Sequence, residues 1–336
     1  MFPNSVSEQI YHTIYIFQII QNLSYNSNEN IMNMRLILAT LLLFTNLALS
    51  AQMLNDSPFN ATVQNPKYAI GKGPKVLFDA GHFNFIVKWG LAKPLIDVAT
   101  SDGYQIKIDS MQFSKSYLAD YKLIVIMPAM PFEFGSKNII TNEITFKPEE
   151  LNALHDWVNN GGRLLMFSEH APIDKSVTPL FNKFGIQLSI GIMADSNNCD
   201  SSIKIAGYQT LLKFTKNNGL LNMNHPIVKG ENKNEMVNNL VTYGGSGLTG
   251  EGYDNIFKLS STAYTRKWNG NEPLGAGNSQ CLAGKVGKGK LVALGDCNGF
   301  TAMYINMSGK KFTAGMQVQN YDWKQFVLNT IHWLCL

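Results

Sequence analysis

Residues 161–174, Gly-Gly-Arg-Leu-Leu-Met-Phe-Ser-Glu-His-Ala-Pro-Ile-Asp, constrain this chain more than any other stretch. A glycine pair stops a helix, a short apolar run follows, and Pro172 ends it just after Ser168, Glu169 and His170. An apolar run of that length between two breakers reads as a buried strand. In an open α/β sheet, ligand-handling groups sit just past the carboxyl ends of the strands. This stretch puts three polar side chains there.

The chain around it alternates strand and helix. Residues 75–78 predict a first strand that empties into Asp79-Ala-Gly-His82-Phe-Asn84-Phe. A helix is expected over 87–100, broken or kinked by Pro94, then a strand over 104–108. Residues 123–127 are continuously apolar, as in a parallel strand buried on both faces, and Pro128 and Pro131 forbid continuation. Pro148, Glu149 and Glu150 open the clearest helix, suited to its positive amino end, and Gly161-Gly162 close it. A helix over 176–184 and a strand over 186–190 continue the pattern. It resumes at 280–286, a Gly-Lys-Gly turn, a strand at 291–294 and a final amphipathic helix over 323–334. Such an order predicts an α/β fold: a mostly parallel sheet with helices on both faces. Between residues 191 and 277 Gly, Asn, Ser and Thr dominate, which predicts a β- and loop-rich insertion covering one sheet edge.

The amino end reads differently. Residues 36–50 form the one long apolar run, after Arg35 and before the small residues Ser50 and Ala51. A charged start, an apolar middle and a small-residue exit are the marks of a secretory signal. The run is short for a membrane span, which needs roughly 20 apolar residues, so no stable span is expected after processing. Residues 1–31 are Asn-rich without a basic cluster, and the expected translation start is Met32 or Met34. Residues 1–51 are therefore read as signal peptide plus extension, 52–74 as an irregular lead, and 75–336 as the folded domain. The expected location is secreted or periplasmic. There, Cys199, Cys281, Cys297 and Cys335 would permit two disulfides in any of three connectivities. A net charge of +4 with scattered Lys and Arg gives no nucleic-acid footprint. No G-x-G-x-x-G follows the first strand, which argues against a dinucleotide.

Several motifs resemble a known family. Phe78-Asp-Ala-Gly-His82-Phe-Asn84-Phe, Glu149-Glu150-Leu through Trp157-Val-Asn-Asn-Gly-Gly-Arg-Leu-Leu, Glu169-His170-Ala-Pro, Asn224-His225-Pro226-Ile227 and Asn329-Thr-Ile-His332-Trp333-Leu are similar to exported proteins carrying a DUF4350 domain. That resemblance implies the class I glutamine amidotransferase-like, flavodoxin-like fold, without an established activity. The family has an Asp-His pair where this chain has Glu169-His170. Amidotransferases of this fold use a Cys nucleophile after the central strand and a downstream His-x-Glu. This chain has Ser168-Glu169-His170 at the first place and no such motif at the second, so ordinary glutamine hydrolysis is not expected.

Four strand ends carry the candidate site. The carboxylate and imidazole set, His82, Glu169, His170 and Asp296, suits general acid–base work, and Asp79, Asn84, Ser168 and Asn298 suit ligand contacts. A divalent metal is a further option, with its ligands left open. Strand-end capping by the same Asp and Asn side chains is the bland alternative. Gly295-Asp296-Cys297-Asn298-Gly299 matches a nucleophile elbow in spacing, with Cys297 as the less favoured nucleophile. Two functions follow: a binding domain holding a small polar ligand or glycan on the rim, or a hydrolase using the His and carboxylate set. The sequence does not decide between them.

Overall fold

The computed structural model describes residues 52–55, 58–133, 144–171, 173–202, 208–267, 273–307 and 310–336. The signal-like run and the rest of residues 1–51 lie outside the described residues. Those described divide into a small unit, Gln52 with part of 305–312, and a large one, Met53–Tyr304 with Thr313–Leu336. The nine-stranded sheet, its two cores and every candidate site residue belong to the large unit.

The sheet strands are β1 (Lys75–Asp79), β2 (Gln105–Asp109), β3 (Leu123–Ile126), β4 (Arg163–Phe167), β5 (Ile186–Ser189), β6 (Gly247–Gly250), β7 (Asp254–Lys258), β8 (Ser279–Val286) and β9 (Gly289–Leu294). Their spatial order is β2-β1-β3-β4-β9-β8-β6-β5, with β7 on β8. The first five are mutually parallel, and their carboxyl ends form one rim. From β9 outward the sheet turns antiparallel: β8 and β9 form a tight hairpin in which Val286 faces Gly289. β5, which extends the sequence's strand–helix alternation, lies antiparallel to β6 on the far edge. Its alternation with helices is real, but pairing with β6 rather than β4 takes it out of the parallel block.

Period-two side-chain alternation sorts the central strands into two cores. Val76, Phe78, Leu123, Val125, Leu165, Phe167, Val292 and Leu294 face one layer, which includes helices α1 (Lys93–Ser101) and α4 (Trp323–Cys335). Leu77, Ile124, Ile126, Leu164, Met166, Leu291 and Ala293 face the other, with α2 (Pro148–Asn159) and α3 (Asp174–Lys183). Both faces are thus covered, which is why these strands are almost uninterruptedly apolar. The first layer is anchored by aromatics: Phe326 lies 5.0 Å from Phe257 and 5.6 Å from Trp323 between ring centroids. The Trp323 indole donates to the Val241 carbonyl at 2.9 Å.

Pro94 stands in the first turn of α1, where a missing N–H is harmless. The expected single kinked helix is therefore two pieces, a turn at Phe85–Lys88 and α1 itself. In α2, Glu150 accepts from the Lys147 amide, closing the amino end. The helix at 93–101 joins β1 to β2 on one face, and α2 joins β3 to β4 on the other. The strand order therefore reverses between the parallel neighbours β1 and β3, the switch point at which open α/β sheets leave a crevice at their carboxyl ends.

Among the described residues, no helix is long and apolar enough to cross a membrane. The four cysteines are unpaired; Cys281, Cys297 and Cys335 are buried and Cys199 is partly exposed.

Candidate functional site

Asp79, Glu169 and Asp296 leave β1, β4 and β9 at the same end of the sheet, as parallel strands require. The rim nevertheless divides into two constellations. β3 lies between β1 and β4. Two strand spacings, about 10 Å, therefore part the strand ends that carry Asp79 and Glu169.

The first constellation centres on His82. Its Nδ1 lies 3.0 Å from Asp79 Oδ2 and its Nε2 lies 3.2 Å from Glu150 Oε1. Both carboxylates are buried, and the imidazole is only 8% exposed. Phe146 packs on the ring at 4.4 Å and Phe113 at 5.0 Å. The acids are themselves fixed: Asp79 Oδ1 accepts from the Gly81 amide, and Glu150 Oε1 also accepts from the Phe113 amide. Burial alone would lower the imidazole's pKa. Hydrogen bonds and charge from Asp79, with the Glu150 charge, outweigh it and raise the pKa above 6.5. His82 and Phe83 have φ of 46° and 41°, the only positive values outside glycine among the described residues. Such conformations cost of order 1–3 kcal/mol each and persist only where the surroundings over-determine them. Here the ion pairs hold the His82 side chain and the Met130 amide donates to its carbonyl at 2.8 Å.

Asn84 completes this half. Its Oδ1 accepts from the Val87 amide, capping the Phe85–Lys88 turn, and its Nδ2 donates to the Met127 carbonyl at 3.1 Å. It is wholly buried, so it joins the end of β3 to the segment after β1 rather than facing solvent.

The second constellation centres on Glu169. Its Oε2 accepts from the Cys297 thiol and from Asn298 Nδ2, both at 3.1 Å. Its Oε1 accepts from the His170 amide at 3.0 Å and lies 4.0 Å from His170 Nε2. Asp296 is buried and accepts from the Tyr243 and Asn298 amides. Burial first, then the Glu169 charge, push the Asp296 carboxyl up to about 8. Burial, followed by the charges of Glu169 and Asp296, drives the Cys297 thiol well above its usual value. Cys297 has an ordinary φ of −97° and ψ of −13°, and a single 3-10 turn and then a strand follow it. Neither matches the strained strand-to-helix elbow that exposes a nucleophile.

Ser168 is fully buried 3.1 Å from Ser246 Oγ, and Ser246 Oγ donates to the Glu169 carbonyl. The glycine-rich segment that supplies Ser246 is held, not loose. A Cβ on Gly245 would sit 2.3 Å from the Gly295 carbonyl, and Gln280 Nε2 donates to the Gly244 carbonyl. At the surface of this half stand His170, its side chain 31% exposed, and the partly exposed Asn298.

A resident metal does not fit these residues. Both ring nitrogens of His82 face carboxylates, and Glu169 Oε2 is taken by Cys297 and Asn298. Among the described residues, no group of three or more His, Cys, Asp or Glu side chains could hold one. Sequence reasoning passed over Glu150 as a partner of His82. Glu150 looks like any acidic residue in a first helical turn; only the approach of α2 to the β1 exit makes it a partner of His82. The other described histidines, His155, His225 and His332, take no part in either constellation. His225 accepts from the Ile227 amide as a helix cap, and His332 lies 2.6 Å from Asp102.

No family model and no curated protein matches the sequence. Solved structures do resemble the fold. The mmIFT52 N-terminal domain is 16% identical with a TM-score of 0.52, over 77% of this chain and 96% of that one. A cytoplasmic protein of Salmonella typhimurium is 14% identical with a TM-score of 0.42, over 78% and 98%. A ThuA-like protein of Bacteroides uniformis is 13% identical with a TM-score of 0.40, over 83% and 95%. At such identities only the first likeness carries weight, and what it shows is a shared α/β fold.

Proposed function

We propose that this protein is an exported, amidotransferase-like domain of the DUF4350 type that binds a small polar ligand, a glycan by preference, at the Glu169 side of the rim. The observation that carries this reading is the engagement of Cys297, the less favoured nucleophile, and of Ser168, which follows the central strand where amidotransferases of this fold carry their cysteine. Ser168 is buried against Ser246, and the Cys297 thiol is a protonated donor to Glu169. A nucleophile is activated by an adjacent base or a lowered pKa. Ser168 has only the Glu169 carbonyl and the Ser246 hydroxyl beside it, and the carboxylate next to Cys297 adds to burial in raising, not lowering, the thiol pKa. Glu169 instead orders the partly exposed Asn298 side chain and the surface residue His170, a polar pair suited to hydroxyl groups. Export rests on Arg35 and the apolar run 36–50.

The test is a glycan array with thermal shift on the mature protein, repeated with Glu169→Gln and His170→Ala. Both variants should keep folding nearly intact and lose the ligand-induced shift. A large loss of stability with unchanged ligand response would sink the reading. The mature chain should begin at Ala51 or Gln52 by N-terminal sequencing.

One observation favours a second reading. Burial, then the Glu169 charge, push the Asp296 carboxyl up to about 8, the direction a general acid needs. A hydrolase of this kind would turn over a chromogenic glycoside and lose that turnover in Asp296→Asn.

A further inference from the structure

His82 occupies the place where an open α/β sheet ordinarily receives a ligand. The crevice between the ends of β1 and β3 is the switch point. In this protein Asn84 spans it to the Met127 carbonyl, and the His82 carbonyl receives the Met130 amide. The His82 ring then ties in the rest: Asp79 at the end of β1, and Glu150 at the start of α2, which itself holds the Phe113 amide. We propose that His82 is a proton-operated latch that closes the switch-point crevice, engaged while the ring is an imidazolium and released when the ring loses a proton.

The geometry demands the charged ring. A neutral imidazole has one N–H donor and one bare nitrogen. With carboxylate oxygens at 3.0 and 3.2 Å from the two nitrogens, a neutral ring would set a lone pair against a buried carboxylate on one side. The titratable groups facing the ring are Asp79 from β1 and Glu150 from α2; the other neighbours, Phe113 and Phe146, do not titrate. Loss of the proton therefore removes one bridge and leaves two carboxylates less than fully compensated in an apolar pocket. The backbone stores the response. His82 and Phe83 sit at positive φ, so once a bridge is lost these residues gain by relaxing toward ordinary conformations. Phe83, already 40% exposed, would move with them.

The sign follows from linkage. Folding raises the pKa of His82, so its contribution is complete below 6.5 and is lost as pH rises through the raised value. The latch is shut below 6.5 and opens as pH rises through the raised value.

Nitrogen-15 shifts of the His82 ring in the folded protein at pH 6 read the first claim directly, and both nitrogens should be protonated. Hydrogen exchange between pH 6 and 9, corrected for intrinsic base catalysis, reads the second. Peptides covering residues 80–90 and 127–133 should lose at least tenfold protection across the His82 titration, while β4 and β9 stay protected. Glu150→Gln, which removes one charge that raises the pKa, should shift that onset to lower pH. A ring protonated on one nitrogen at pH 6 overturns the proposal, as does protection that is level across the titration. So does an onset unmoved in Glu150→Gln. If that variant does not fold, the ring shifts and exchange of the unaltered protein decide.

Discussion

The sulfur of Cys297 lies 3.1 Å from Oε2 of Glu169 and donates to it, deep beneath the rim. A carboxylate in that position stabilises the thiol and opposes the thiolate. Carboxylate and cysteine thus form a structural pair, with Asn298 as the second donor to the same oxygen.

Thiol accounting follows from that pair. In native protein at neutral pH a thiol reagent should modify at most Cys199, and slowly, because burial and the Asp195 charge raise its pKa. Cys281, Cys297 and Cys335 should react only on unfolding, giving four thiols per chain in denaturant. Fewer than four would mean that a disulfide forms, and rapid native labelling of Cys297 would restore the nucleophile reading.

The Asp296 carboxyl gives a pH signature opposite to that of an ion-paired acid. Its folded pKa, about 8, lies above the ordinary 3.8, so the folded state binds the extra proton between those values. Stability should therefore fall as pH rises through that window, by at most about 1.4 kcal/mol per pH unit from this group. Urea unfolding at pH 5, 6, 7 and 8 should show this slope in the unaltered protein and a flatter one in Asp296→Asn. Equal slopes would place the titration elsewhere.

The aromatic layer should tolerate neither shrinkage nor filling. Phe326→Ala removes a fully buried ring that meets Phe257, Phe300 and Trp323, and should cost about 3–5 kcal/mol. Gly299→Ala would place a methyl 2.4 Å from the Trp323 ring, which its indole bond to Val241 holds in place. Overpacking of that kind should cost about 1–3 kcal/mol. Denaturant midpoints with unchanged slopes would confirm that both act on the native core.

Glycine 295 reports on the rim itself. A Cβ there would meet the Ser246 carbonyl at 1.9 Å, backbone against backbone, so neither side can yield as a side chain would. Gly295→Ala should break the Ser246 amide bond to the Gly295 carbonyl, now 2.7 Å, and yield little soluble protein. Soluble expression at the unaltered level, with an unchanged melting temperature, would show that the rim has slack.

The sequence by itself determined the layered architecture. Runs such as 164–167 and 123–126 are apolar at every position because helices cover both sheet faces, and that pattern is local and readable. Proline and glycine marked the stops, since their backbone limits act on the residue itself. Which strand pairs with which was not local. Ile186–Ser189 looks like the next parallel strand, yet it pairs antiparallel with Gly247–Gly250, some sixty residues on, because hydrogen bonds join whatever edge the chain reaches. The same limit applies to the rim. Asp79, Glu169 and Asp296 could be placed at one end of the sheet from strand direction alone. Only the tertiary structure divided them into two constellations and turned most of them inward. It also gave His82 a second acid, Glu150, 68 positions away, by resting the start of one helix against the exit of the first strand. A side chain's type is written in the sequence, but its partners, burial and protonation follow from which distant segments the packed core brings beside it.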